Sequence, residues 1–132
     1  MNDVSASGAV QASGHGRVDK PWGYELHWAI TDRYLGKILH VRAGFALSLQ
    51  YHVQKDETIL VLSGAIDLVL DSEDGELETH RLTPGMSARI RPGRRHRMIG
   101  VEDSDVCEAS SPEMDDLVRL DDRYGREGTT AP

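Results

Sequence analysis

The stretch Gly44-Phe45-Ala46-Leu47-Ser48-Leu49-Gln50-Tyr51-His52, followed by Glu57 and Gly64, carries more structural information than any other part of the chain. An extended strand sends successive side chains to opposite faces, so Ser48, Gln50 and His52 share one face and Leu47, Leu49 and Tyr51 the other. Glu57 follows across a turn, and Gly85, Pro92-Gly93 and His96 echo the pattern downstream. An amide, two imidazoles and a carboxylate meeting inside a small barrel form a ligand set for one divalent metal: Gln50, His52, Glu57 and His96. The set has no thiolate, which disfavours copper(I). It suits Zn, Mn, Fe, Co or Ni, and the residues do not choose among them.

Outward from this stretch the chain reads as short strands. Tyr34 to Arg42, Ala46 to His52, Thr58 to Leu62, Ala65 to Leu70, Leu77 to Leu82, Ser87 to Ile90, His96 to Val101 and Val106 to Ala109 are each apolar or alternating. Asp74-Gly75, Pro84-Gly85 and Pro92-Gly93 supply turns. This spacing, without a long helical pattern, predicts an all-β sandwich or barrel. Ser111-Pro112-Glu113 reads as a helix start, with a serine cap and proline at the first helical position, so a short helical turn is expected near the C-terminus. Residues 1–19 are expected to be disordered, since Asn2 to Gly16 is rich in Ser, Ala and Gly without periodicity. Residues 20–126 form the single domain, and 127–132 a flexible tail.

At these positions the chain resembles the cupin superfamily, whose fold is a double-stranded β-helix or jelly-roll barrel. Gly44, His52, Glu57 and Gly64 keep the spacing of its first motif, with Gln50 where the first histidine would stand. Gly85, Gly93 and His96 fit the second motif, with Arg91 in place of its proline. Leu47 to His52, Lys20-Pro21-Trp22-Gly23, and the run from Asp115 to Arg126 are similar to the cupin domain of type II mannose-6-phosphate isomerases. That resemblance implies a lysine on the strand before the metal motif, here Lys37, directed at substrate. It also implies that Arg119, Arg123 and Arg126 lie near the site, where their planar forks would suit phosphate. On the residues alone, those arginines equally well pair with Asp115, Asp116, Asp121 and Asp122.

Alternation adds two constraints. If Lys37 faces the barrel interior, His40 does not. Only one of Cys107 and Glu108 can face the cavity: Glu108 would be a proton shuttle, Cys107 a thiol. With His96 pointing in, Arg95 and Arg97 point out. His15 and His80 read as bystanders, and His27, beside the Pro-Trp-Gly segment, as a packing residue.

Composition narrows the partners. The 132 residues carry a net charge of −7, which argues against a nucleic-acid or anionic membrane surface. A lone Cys107 allows no internal disulfide, and no secretory signal is visible, so a cytoplasmic location is expected. The expected partner is a small carbohydrate or sugar phosphate, and because sheet edges must be covered, a homodimer is the expected assembly.

Three functions fit. The first is an enzyme, a metal-dependent isomerase of a sugar or sugar phosphate, with the metal polarising an oxygen and Glu108 moving the proton. The second is a non-haem oxygenase on the two-His-one-carboxylate set His52, Glu57 and His96, or a carbon–sulfur lyase using Cys107. The third is a non-catalytic carbohydrate-binding module.

Overall fold

The computed structural model describes residues 9–130. Strands run in chain order as β1 (Arg17–Lys20), β2 (Gly23–Ile30), β3 (Leu35–Val41), β4 (Leu49–His52), β5 (Glu57–Ser63), β6 (Ile66–Asp71), β7 (Leu77–Leu82), β8 (Ser87–Ile90), β9 (His96–Gly100), β10 (Ser104–Ser110), β11 (Leu117–Asp121) and β12 (Gly128–Thr130). They form two six-stranded sheets, β1-β2-β3-β10-β5-β8 (sheet A) and β12-β11-β4-β9-β6-β7 (sheet B), with antiparallel pairing throughout. The all-β jelly-roll expectation is met.

The inward faces explain why the fold has a site at one end. Along β3 they read Lys37, Leu39, Val41; along β5, Glu57, Ile59, Val61; along β9, His96 then Met98. From the other direction, β10 reads Glu108 then Val106. Each strand therefore gives polar groups to one end and branched aliphatics to the other. The aliphatics, with Trp22, Ile66, Leu68, Leu82 and Ile90, close into one core. Burying such side chains is worth about 1.5–3 kcal/mol each, which offsets the cost of the charged end.

Gly64 makes the crossing from β5 in sheet A to β6 in sheet B. Its φ is +82°, and a Cβ there would collide with the Asp103 carbonyl and the Ser104 hydroxyl. Both the left-handed conformation and the close approach require glycine.

Two expectations are corrected. The C-terminal helical turn does not form, and the described residues contain no helix. The Ser111 hydroxyl accepts the Asp56 N–H instead of capping a helix, and the Ser111 N–H donates to the Asp56 carbonyl. The following residues then pair as β11 with β4 and β12, and ladder bonds win over a weak helix start. The sheets also reach past the limits read from composition. Arg17–Lys20 pairs with β2, and Gly128–Thr130 with β11. Of the expected disordered stretch and tail, residues 1–8 and 131–132 lie outside the described residues.

Candidate functional site

Sheet register brings the polar ends together. In sheet B, Arg119 pairs with Gln50 and Gln50 with His96, giving one transverse row across β11, β4 and β9. In sheet A, His27 pairs with Lys37 and Lys37 with Glu108, giving a row across β2, β3 and β10. Lys37, Gln50, Glu108 and Arg119 line one cavity with His52 and Glu57.

His52, Glu57 and His96 form the centre. One potential ligand atom from each lies within 4.8 Å of the others. Glu57 Oε2 is 3.0 Å from His52 Nε2, and Glu57 Oε1 is 3.9 Å from His96 Nε2. Yet Glu57 Oε2 is fully buried without an aligned hydrogen-bond partner. A buried carboxylate oxygen left in that condition is costly unless something else satisfies it, and a cation among the three side chains would do so. Burial works to raise the Glu57 carboxyl, but His52, His96 and Lys55 outweigh it and hold it well below the ordinary range. It is a carboxylate, as a ligand must be.

Both imidazoles are aimed by their outer nitrogens. His96 Nδ1 is 3.0 Å from the Arg94 carbonyl, to which its N–H donates. His52 Nδ1 is 3.2 Å from Asp116 Oδ1 and donates there in the same way. Each Nε2 lone pair is thereby turned toward the cluster, the arrangement by which an outer carboxylate or carbonyl orients a metal-binding histidine. Asp116 is itself fixed, accepting the Gln54 and Lys55 backbone N–H groups at 2.7 and 2.9 Å. The Gly93 N–H donates to the His52 carbonyl at 2.7 Å, tying the Pro92-Gly93 turn to β4 just before His96. Complete burial pushes the His96 imidazole down against the pull of Glu57, favouring the neutral form that can ligate.

Gln50 belongs to the same face with a different engagement. Its Oε1 accepts the Ser48 hydroxyl at 2.6 Å, and its Nε2 lies 3.5 Å from His96 Nε2. The three-residue centre is thus drawn tightly, and the amide lies beside it.

Glu108, 5 % exposed, faces the cavity, while half-buried Cys107 lies on the outer face of sheet A. Cavity thiol chemistry by Cys107 is therefore excluded, and burial pushes its thiol up. Lys55 Nζ lies 3.0 Å from Glu108 Oε2. Lys37, 3 % exposed, points inward, and its Nζ is 3.7 Å from Glu25 Oε1. His40 points out, 2.8 Å from Asp105. Of the three arginines, Arg119 is buried in the cavity wall, and Arg126 reaches the wall while binding Asp122 with two arms at 3.0 Å. Arg123 stands outside the cavity lining, its Nη1 3.3 Å from the Gly44 carbonyl. Arg95 binds Asp71 on the outer surface.

Glu25, Lys55 and Asp116 escape a reading by sequence, because single charges in a charged chain look solvated. Glu25 and His27, 2.7 Å apart, sit on the inner face of β2 with apolar Leu26 and Trp28 outside. That reversal of the usual alternation is the signal that could have found them.

The cupin domain family matches residues 37–109 of this chain. Among known proteins, the xanthan biosynthesis protein XanB of Xanthomonas campestris pv. campestris is 31 % identical over 131 residues, covering 96 % of this chain and 27 % of that protein. A mannose-1-phosphate guanylyltransferase of Escherichia coli K12 is 31 % identical over 130 residues, covering 96 % and 26 %. The chain thus spans about a quarter of the length of these relatives. Among solved structures, a sugar phosphate isomerase from a cupin superfamily of Silicibacter pomeroyi superposes with a TM-score of 0.60 at 20 % identity, covering 80 % of this chain and 66 % of that one. This last likeness is one of fold.

Proposed function

This chain belongs to the cupin family, and from that premise we propose that it is a metal-dependent enzyme of the isomerase type acting on a sugar or sugar phosphate. The observation that carries the reading is the cluster of His52, Glu57 and His96, two of whose members, His52 and Glu57, line one cavity with the carboxylate of Glu108. The names of the relatives, which concern polysaccharide biosynthesis and mannose 1-phosphate, point to the same substrate class.

The residues fit a divalent ion. His52, Glu57 and His96 would hold it, and rotation of the Gln50 amide would exchange its nitrogen for its oxygen as a fourth donor. When bound, such an ion supplies Lewis-acid polarisation of a carbonyl or hydroxyl oxygen. The chain's own groups do the rest. Glu108 takes a proton from the hydroxyl-bearing carbon beside the carbonyl and returns it to the former carbonyl carbon, while the hydroxyl proton passes to the former carbonyl oxygen, so the sugar is neither oxidised nor reduced overall. Lys55 holds Glu108 in place. Lys37, its charge balanced by Glu25, donates hydrogen bonds to substrate hydroxyls.

Metal analysis of purified protein, followed by incubation of sugars and sugar phosphates in deuterated water, tests the proposal. Exchange of a substrate C–H hydrogen is expected in the wild type. In Glu108→Gln it is expected to fall by roughly 100-fold or more with metal content unchanged, since the amide keeps the shape but cannot accept the proton. No exchange with any sugar by metal-loaded protein would remove the isomerase reading and favour a binding module. A specific observation sustains the oxygenase alternative: Ser48 engages the Gln50 oxygen, leaving a two-His-one-carboxylate set. Oxygen uptake by iron-loaded protein separates the two.

A further inference from the structure

Of the 15 basic residues in the chain only Lys20, Lys37 and Lys55 are lysines, and all three line the cavity that holds Glu108. The others are arginines, of which, among the described residues, Arg119 and Arg126 alone reach it. Lysine ordinarily stands on the surface and is almost never fully buried unless paired. Arginine does not give up its proton, whereas a lysine amine can, and only the deprotonated amine is a nucleophile. A chain that draws its surface cations from arginine and keeps its lysines for one cavity concentrates amine chemistry there.

Two of the three amines are committed. Lys37 Nζ lies 3.7 Å from Glu25 and Lys55 Nζ 3.0 Å from Glu108, and both lysines are buried. Lys20, the last residue of β1, is half-buried and forms no ion pair with any described residue. Burial pushes its ammonium down, and Arg119, Lys37 and Arg126 add to this against the pull of Glu25. Desolvation beside other cations is a way to make a lysine nucleophilic near neutral pH. The backbone that carries this amine is fixed as well. Lys20 pairs with Gly23 across a turn of Pro21 and Trp22. Trp22 is buried, its carbonyl accepts the Arg42 N–H at 3.0 Å, and a Cβ on Gly23 would collide with the His40 carbonyl. Lys20 therefore meets the cavity from a rigid turn.

We propose that Lys20 Nζ is a nucleophile that captures a small aldehyde, such as the open-chain form of an aldose, as an imine in this cavity. The nitrogen lone pair adds to the carbonyl carbon, the nitrogen gives up a proton and the carbonyl oxygen gains one. Loss of that oxygen as water leaves a C=N bond, with no electrons gained or lost. Glu108, in the same cavity, is the carboxylate that passes the proton from nitrogen to oxygen. The ligand needs an aldehyde and no charge. Capture requires neither a metal nor turnover, so it does not rest on the isomerase reading.

Reductive trapping tests the amine. The full chain is incubated near pH 7 with glycolaldehyde and sodium cyanoborohydride, which reduces the protonated imine to a stable secondary amine, and peptide mass spectrometry locates the label. Lys20 is expected to react faster than Lys37, Lys55 and added Nα-acetyl-lysine by roughly tenfold or more. A chelator should leave this labelling unchanged. Lys20→Arg keeps the cation but cannot form the imine, so the label at this position should vanish without moving to Lys37 or Lys55. If that variant does not fold, the label map of the wild type carries the test by itself. Label spread evenly over the three lysines, or Lys20 reacting no faster than Nα-acetyl-lysine, overturns the proposal. Rapid labelling of Lys20 in a protein that exchanges no sugar hydrogen sustains the amine and removes the isomerase reading. Hydrogen exchange by a wild type whose Lys20 takes no label does the reverse.

Discussion

His52 commits one ring nitrogen to Asp116 and presents the other to Glu57, so its usefulness as a ligand depends on a residue 64 positions away in sequence. Asp116→Asn keeps an oxygen for the Gln54 and Lys55 N–H groups but weakens the partner of the imidazole N–H. Metal affinity, measured by competition with a chelator, is expected to fall roughly tenfold or more. His52→Ala should abolish binding altogether, and unchanged affinity in both variants would refute the centre. Glu25 makes a different prediction. Burial works to raise its carboxyl, yet the His27 hydrogen bond, Lys37 and Lys20 hold it at about 2, against an ordinary 4.5. The folded value lies below the unfolded one, so the stabilisation is complete above about pH 4.5 and is lost as pH falls toward 2. Urea unfolding near pH 6 and near pH 3.5 should show a loss larger by about 1 kcal/mol in wild type than in Glu25→Gln. Equal losses would show that Glu25 is not held as a carboxylate. The contrast between these two sites marks what a sequence can disclose about residues. His52, Glu57 and His96 stand at fixed spacings around turns, so their convergence is legible. Glu25, Lys55 and Asp116 matter through contacts made across strands, and no local spacing encodes those.

At the scale of elements, strands with an apolar inner face were legible because alternation and turn residues agree. β5 (Glu57–Ser63) and β6 (Ile66–Asp71) fall within a residue of the expected Thr58 to Leu62 and Ala65 to Leu70. β2 was not, since its inner face carries Glu25 and His27, which reverses the usual pattern. β11 was hidden by a helix-start signal that tertiary hydrogen bonds override. The crossing at Gly64 tests how firmly these elements are joined. A side chain there would be strained at φ +82° and would press on Asp103 and Ser104. Gly64→Ala is expected to destabilise by about 1–3 kcal/mol, read from denaturant midpoints. Because Gly64 connects the end of β5 to β6, away from Glu57 at the start of β5, metal affinity should change little in the fraction that remains folded. A variant as stable as wild type would mean that the turn relaxes freely.

At the scale of the whole molecule, the placement of charge inside leaves apolar surface outside. Leu26 pairs in register with Ile38, Ile38 with Cys107, and Cys107 with Leu60, giving an apolar row across four strands on the outer face of sheet A. Trp28, 52 % exposed, and Leu62, 49 % exposed, extend it. We propose that this face is the contact of a homodimer, in which a two-fold axis would bring the same row from each copy together. A stable interface needs about 800 Å² from each partner, and exposed Trp28, Leu60 and Leu62 would stand at its centre. The row lies on the far side of sheet A from the cavity, so association would leave the site open. Sedimentation velocity at tens of micromolar should give twice the 14.6 kDa of the chain. Leu60→Glu would place a carboxylate on each side of the contact, where like charges repel and desolvation is costly, and the protein should then sediment as a monomer. Leu60 is 38 % exposed, so the substitution leaves the core intact, and circular dichroism and metal content should stay as in wild type. A wild type that sediments as a monomer at these concentrations would discard the dimer. A Leu60→Glu variant that remains dimeric would move the contact to another face.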